Sequence, residues 1–189
     1  MTVLRIFKEN EPENVILTTT HANEISEILS EYQVTFEQWP IYDIDLQSIA
    51  IENRQTEILK CYEKEVAQSI ETGGYLAMDV VSLSSDNANK EALRQKFLDE
   101  HTHAEDEVRF FVKGSGLFVF HFADDIFMLQ TVAGDFISVP EKAKHWFDMG
   151  TLPEFTCIRF FNNPAGWVAE YTGSTISRSF PDYDQLNLR

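Results

Sequence analysis

Two short runs of β-branched, aromatic and other apolar residues stand near the start of the chain, at residues 3–7 and 15–19. The acidic, proline-containing ENEPEN lies between them, and the pattern predicts a hairpin or a pair of strands. Ile25, Ile28 and Leu29 recur at helical spacing and predict a short amphipathic helix over 23–32. Trp39-Pro40 marks a break. From 45 to 71 helix formers run without interruption, and Leu46, Ile49, Ile58, Tyr62, Val66 and Ile70 form an imperfect apolar stripe that Gly73-Gly74 ends. Residues 75–83 fit a strand buried on both faces. Residues 89–98 fit a helix with Leu93 and Phe97 inward and Asp86 or Asn87 as its cap.

Beyond residue 107 the period shortens. Phe- and Val-rich runs at 108–112, 116–122, 126–131, 136–139 and 155–161 predict short strands, with turns at Ala123-Asp124-Asp125 and Val132-Ala133-Gly134. Strands at this spacing suggest a mainly β fold, a jelly-roll barrel preceded by a mixed α/β extension. With no repeat and no low-complexity linker, one domain is expected over 1–189. Residues 1–74 would pack on a core at 75–173, and 174–189 would form a tail that wraps or frays.

Composition narrows the partners. The formal net charge is −16, with 31 acidic against 15 basic residues, which argues against nucleic acid or an anionic membrane. Cys61 and Cys157 are too few and too far apart for a disulfide framework or a CxxC site, so both are expected as buried thiols. No signal-peptide pattern opens the chain, and no apolar run approaches the ~20 residues of a membrane span. A soluble cytoplasmic protein, a monomer for want of any assembly seam, is the expectation.

The candidate chemistry sits in EHTHAEDEVRFFVKGSG, residues 100–116. Alternate strand residues share a face, so His101 and His103 point together, and Glu107 and Arg109 have the same parity. Two imidazoles and a carboxylate suit a divalent transition metal such as iron, nickel or manganese, and His145 in PEKAKHWFDMG offers a fourth ligand. Four ligands leave about two of six octahedral positions for substrate and oxygen. Arg109 either enters the same pocket, where its permanent charge suits an anionic substrate, or points outward to nearby acids. Glu100 and Asp106 flank the cluster as acceptors for ligand N–H groups or as solvated carboxylates. Phe97, Phe147, Arg159 and Trp167 are placed by motif or strand to line a pocket, with core packing as the alternative for the phenylalanines. His21 and His121 are assigned to structure.

His101-Thr102-His103, then Glu107 and Gly114, resembles the first cupin motif, and Gly134, Pro140 and His145 resemble the second. Gln95, Lys142 and Met149 depart from the generic cupin pattern. The phrases EALRQKFLDEHTHAEDEVRFFVKGSGLF, ISVP, HWFDMG and FNNPAGWVAEYTG instead resemble the bacterial acireductone dioxygenases of methionine salvage, over roughly 75–173.

That resemblance implies a cupin fold and one Fe(II) or Ni(II) per chain, held by His101, His103, Glu107 and His145. It implies a small-molecule enediol and O2 as substrates, with metal-dependent products, and a role for Arg109 in holding the enediolate. It links Glu100 to metal loading and Asp106 to conformational coupling. Two other classes use the same ligands: another cupin enzyme, such as an isomerase or a different dioxygenase, and a non-catalytic cupin binding module. The HWFDMG and NPAGW stretches argue against the first and the intact ligand set against the second. Without HExxH, a zinc-protease reading fails.

Overall fold

The structure, a computed structural model, describes residues 1–163 and 167–187. Pro164 to Gly166 of the family-like NPAGW stretch and the last two residues of the tail lie outside the described residues. The predicted hairpin forms from β1 (Val3–Lys8) and β2 (Val15–Thr19), and α1 (Ala22–Ser30) follows with Ile25 and Leu29 buried. Next come β3 (Thr35–Gln38), α2 (Arg54–Cys61), α3 (Glu63–Gly73), β4 (Ala77–Leu83) and α4 (Lys90–Leu98). The remaining elements are β5 (His101–Thr102), β6 (Glu107–Phe122), β7 (Asp125–Val132), β8 (Asp135–Val139), β9 (His145–Asp148), β10 (Phe155–Phe161), β11 (Glu170–Tyr171) and α5 (Tyr183–Asn187).

Among the described residues the strands join in one 11-stranded sheet whose hub is β6. The first part of β6 pairs with β8 and β10, and the second part pairs with β7 and β9, all antiparallel. The runs 108–112 and 116–122, expected as two strands, are therefore one. The break between those runs is a kink within one strand: the β6–β10 register slips between Thr156 and Cys157, and Gly114 has φ +78°.

The slip exchanges the two faces of β6. Before it, Val108, Phe110 and Val112 face a cluster with Ile58, Tyr62, Val66 and Phe160, so this side is covered by α2 and α3. After it, Leu117 and Val119 face Trp146, Phe180 and Leu186, so this side is covered by the C-terminal segment. Phe111, Phe118 and Phe120 fill the inner core with Phe147, Leu129 and Cys157. Both faces of β6 are thus buried, which is why its sequence is apolar almost throughout.

Several expectations are corrected. The run 45–71 is not one helix, because the Asp45 carboxylate accepts from the backbone N–H of Gln47 and of Ser48 and holds a turn there. Helix begins only at a 3-10 turn over Ile51–Asn53, and the buried Tyr62 breaks it again between α2 and α3. Neither Asp86 nor Asn87 caps α4: Asn89 holds the cap position without a side-chain bond, and Asn87 Oδ1 accepts from Asn89 N at 2.8 Å. Cys61 is exposed, since the α2 stripe buries Ile58 instead, whereas Cys157 is buried. The tail wraps: Phe180 and Leu186 are buried, and Tyr183 Oη lies 2.5 Å from Ser115 Oγ beside the kink. No helix among the described residues is long and apolar enough to cross a membrane.

The kink yields a stability prediction. A Cβ on Gly114 would sit 1.8 Å from the Glu154 carbonyl oxygen. Gly114→Ala is therefore expected to lower the unfolding free energy by about 3 kcal/mol, from the left-handed backbone and the displaced strand together. Urea denaturation followed by fluorescence measures it; an unchanged midpoint would mean that β6 does not need this glycine.

Candidate metal centre

Three strands and one loop bring the candidate ligands together. The short strand β5 leaves α4 through Asp99 and pairs His101 with His145 of β9; β6 pairs Phe120 with the same His145. Glu107 opens β6 opposite Val139 of β8. His103 lies on the loop between β5 and β6, where its carbonyl accepts from Lys142 N at 2.9 Å. Lys142 stands where the generic cupin pattern has glycine, and its φ of +62° shows that the left-handed backbone is kept despite the side chain.

His101, His103, Glu107 and His145 are all buried, and one ligand atom from each lies within 4.8 Å of the others. Each imidazole is turned by its Nδ1 atom. Nδ1 of His101 lies 2.8 Å from the Asp99 carbonyl oxygen, that of His103 2.9 Å from Val168 O, and that of His145 2.8 Å from Ala143 O. A carbonyl only accepts, so each Nδ1 carries the proton and each Nε2 is left with a lone pair. Nε2 of His103 and of His145 lie 2.9 and 3.2 Å from Glu107 Oε2. Lone pairs facing a carboxylate at that range repel unless a cation stands between them. His103 Nε2 in fact has no hydrogen-bond partner, although it is buried. A buried unpartnered nitrogen, two further imidazoles and a carboxylate fit a divalent transition metal.

The electrostatics agree. Burial, with His145 as neighbour, pushes the His101 imidazole down to about 4, so it stays neutral and able to bind metal. Burial alone would raise the Glu107 carboxyl, but Arg109, His103 and His145 outweigh it and hold it well below the usual range. Burial lowers His103, and the adjacent Glu107 carboxylate outweighs that and raises it.

Arg109 enters the cluster rather than pointing outward. Its Nε donates to Glu107 Oε1 at 2.7 Å, and its guanidinium carbon lies 4.9, 5.2 and 5.7 Å from the ring centroids of Phe147, Trp167 and Phe118. Phe147 is buried, with room made by Gly116, where a Cβ would come within 2.5 Å of the ring. Trp167 also lies 6.3 Å from the His103 ring and donates from Nε1 to the Asp106 carbonyl oxygen. Arg159 pairs with Arg109 across β10 and β6, stacks 5.5 Å from Trp167, and binds Asp79 through two hydrogen bonds. Phe97 packs against the inner core.

Glu100 and Asp106 do not accept from the ligand N–H groups, because the backbone carbonyls do. Glu100 faces away from the cluster and binds His121 and Thr172. Asp106 Oδ1 accepts from Glu141 N at 2.9 Å. The orienting groups at Asp99, Ala143 and Val168 escaped the sequence reading because any residue supplies a carbonyl. His121, taken as structural, proves to be the partner of Glu100.

Comparison with known proteins agrees with this geometry. Residues 3–169 match the model of the ARD/ARD′ family. The chain is 48% identical over 186 residues to an acireductone dioxygenase of Marinobacter nauticus, covering 98% of each. It is 47% identical over 182 residues to one from Synechococcus, covering 96% of this chain and 98% of that protein. A solved structure of acireductone dioxygenase from Bacillus anthracis, with a cadmium ion in its active centre, superimposes with a TM-score of 0.79 at 35% identity, covering 90% of this chain and 98% of that one.

The His101 environment predicts a pH dependence. The unfolded chain takes a proton on this residue near its ordinary value of 6.5, but the folded chain does so only near 4, so the unfolded state binds more protons in between. Folded stability is thus lost as pH falls through that window. Between pH 7 and 4 the metal-free parent should lose about 3 kcal/mol more stability than His101→Gln. Urea denaturation with chelator present measures the difference, and parallel pH profiles would contradict it.

Proposed function

This chain belongs to the ARD/ARD′ family, and from that premise we propose how it carries out the acireductone dioxygenase reaction of methionine salvage. The substrate is 1,2-dihydroxy-3-keto-5-methylthiopentene with O2. His101, His103, Glu107 and His145 hold one Fe(II) or Ni(II) per chain, and the observation that carries this is the convergence of three Nε2 lone pairs on the Glu107 carboxylate. When bound, the metal would supply a Lewis-acid centre that lowers the cost of the negative charge on the enediolate.

The chain's own residues do the rest. The carbonyls at Asp99, Val168 and Ala143 fix the orientation of the imidazoles and leave each Nε2 aimed at the site, so little reorganisation is needed on loading. Arg109 shares its charge between Glu107 and the enediolate, favours the dianion that O2 attacks, and is kept from turning away by the rings around it. Phe147 and Trp167 give apolar ring edges to the thioether tail, with Phe97 and Arg159 completing the walls. Packing around the buried Phe147 also limits water near the reacting carbons.

With Fe(II) the products are formate and 4-methylthio-2-oxobutanoate. With Ni(II) they are formate, carbon monoxide and 3-methylthiopropionate. Both sets account for every atom of the enediol and O2. We further place the reaction in the cytoplasm and in a monomer of one domain. The acidic composition, two thiols that form no disulfide, and apolar clusters that join the extension and the tail to both outer faces of β6 support this.

Anaerobic loading with Fe(II) and, separately, with Ni(II), followed by oxygen and product analysis, tests the reaction. Each metal should give its own products, and Arg109→Ala should cut turnover about a hundredfold or more while its metal content is retained. No oxygen uptake with either metal would refute the reaction, and near-normal turnover in Arg109→Ala would refute the role of that residue.

A further inference from the structure

Glu100 carries a buried carboxylate, 2% exposed, immediately before the ligand His101. Strand alternation turns it away from the metal cluster, and both its oxygens are taken by other elements. His121 Nδ1, on β6, lies 2.6 Å from Oε2, and Thr172 Oγ1, just after β11, lies 2.7 Å from Oε1. Thr172 N also donates to the Glu100 carbonyl oxygen at 3.1 Å, beside the register pair of Tyr171 with His101.

His121 is tied to a second ligand through its backbone. Its N–H donates to the Lys144 carbonyl oxygen at 2.9 Å, and its neighbour Phe120 pairs with His145. A single residue therefore grips the positions preceding two ligands, Glu100 by its ring and Lys144 by its main chain. The outer nitrogen Nε2 lies 3.0 Å from Glu9 Oε2 at the end of the β1–β2 hairpin. Each ring nitrogen of His121 thus lies within hydrogen-bond reach of a carboxylate, Glu100 on the inner side and Glu9 on the outer.

We propose that His121 is a positioning residue for the metal centre, holding Glu100 in place and through it the backbone that presents His101. The inference rests on the reading of His101, His103, Glu107 and His145 as the metal ligands. β5 is only two residues long, so main-chain pairing alone holds His101 weakly. A buried carboxylate deprived of its hydrogen-bond partner turns toward water. Glu100 cannot do so without moving the adjacent His101, so the damage falls on a ligand rather than on the core.

The test compares the full-length parent with His121→Ala, His121→Asn and His121→Gln. Each is loaded with Ni(II), and nickel release to excess chelator is followed, along with the thermal midpoint of the metal-free chain. His121→Ala should release nickel about tenfold faster or more, the usual size of an effect on a ligand's support. His121→Asn places an amide N–H where Nδ1 stood and should restore slow release. His121→Gln places its amide outward, toward Glu9, and should not. If His121→Ala does not fold, the Asn and Gln variants carry the comparison.

Release from His121→Ala at the parent's rate would overturn the inference, as would equal rates for Asn and Gln. A metal-free midpoint that falls in step with the release rate would overturn it too, by showing general destabilisation. A parent that takes up no nickel overturns the ligand assignment itself and this inference with it. A loaded parent with an unaffected His121→Ala overturns the inference alone.

Discussion

Everything at the centre depends on three hydrogen bonds from imidazole to main chain. Nδ1 of His101, His103 and His145 donate to the carbonyls of Asp99, Val168 and Ala143, and this leaves three Nε2 lone pairs in a buried space beside an ionised Glu107. Such an arrangement is electrostatically incomplete. It excludes most of the water that would satisfy it, and Arg109 balances only one oxygen of the carboxylate. A divalent cation completes it, which is why the fold can keep four polar groups in its interior.

The fold serves this arrangement through one long strand. β6 brings Glu107 and Arg109 to the inner face, kinks at Gly114, and continues with Phe118 and Phe120 on the same side, so the ligands sit at one end of a continuous aromatic interior. The helices α2 and α3 cover one outer face of β6 and the C-terminal segment covers the other. Arg94 ties this cover to the ligand-bearing β9, because it holds Asp148, which also accepts from Tyr183 N. The buried Asp135 does the same for the N-terminus, accepting from Thr2 Oγ1 and from Gln38.

Much of this could be seen in the sequence, for identifiable reasons. Parity along a strand is local, so His101, His103, Glu107 and Arg109 could be grouped on one face without knowing the partner strands. His145 was available as a fourth ligand from its residue type and from the spacing of Gly134, Pro140 and His145, which resembles the second cupin motif. β5, β9 and β11 were not visible because strands of two to four residues carry no period of their own. The TFEQ strand β3, with one apolar residue buried, gave no more signal than a loop. The runs 108–112 and 116–122 read as two strands because a glycine that kinks one strand and a glycine between two strands look alike in sequence. Glu100 was assigned to the wrong partners because its nearness to His101 in sequence hid the fact that adjacent strand residues face opposite ways. His121, 21 residues beyond Glu100, gave no sign of holding it.

The most direct test of the central claim is X-ray absorption at the metal edge of the nickel-loaded protein, beside His145→Ala. The account predicts a shell of nitrogen and oxygen donors with the scattering pattern of three imidazoles, falling to two in the variant. Sulfur in that shell, or an imidazole count that does not change when His145 is removed, would contradict it.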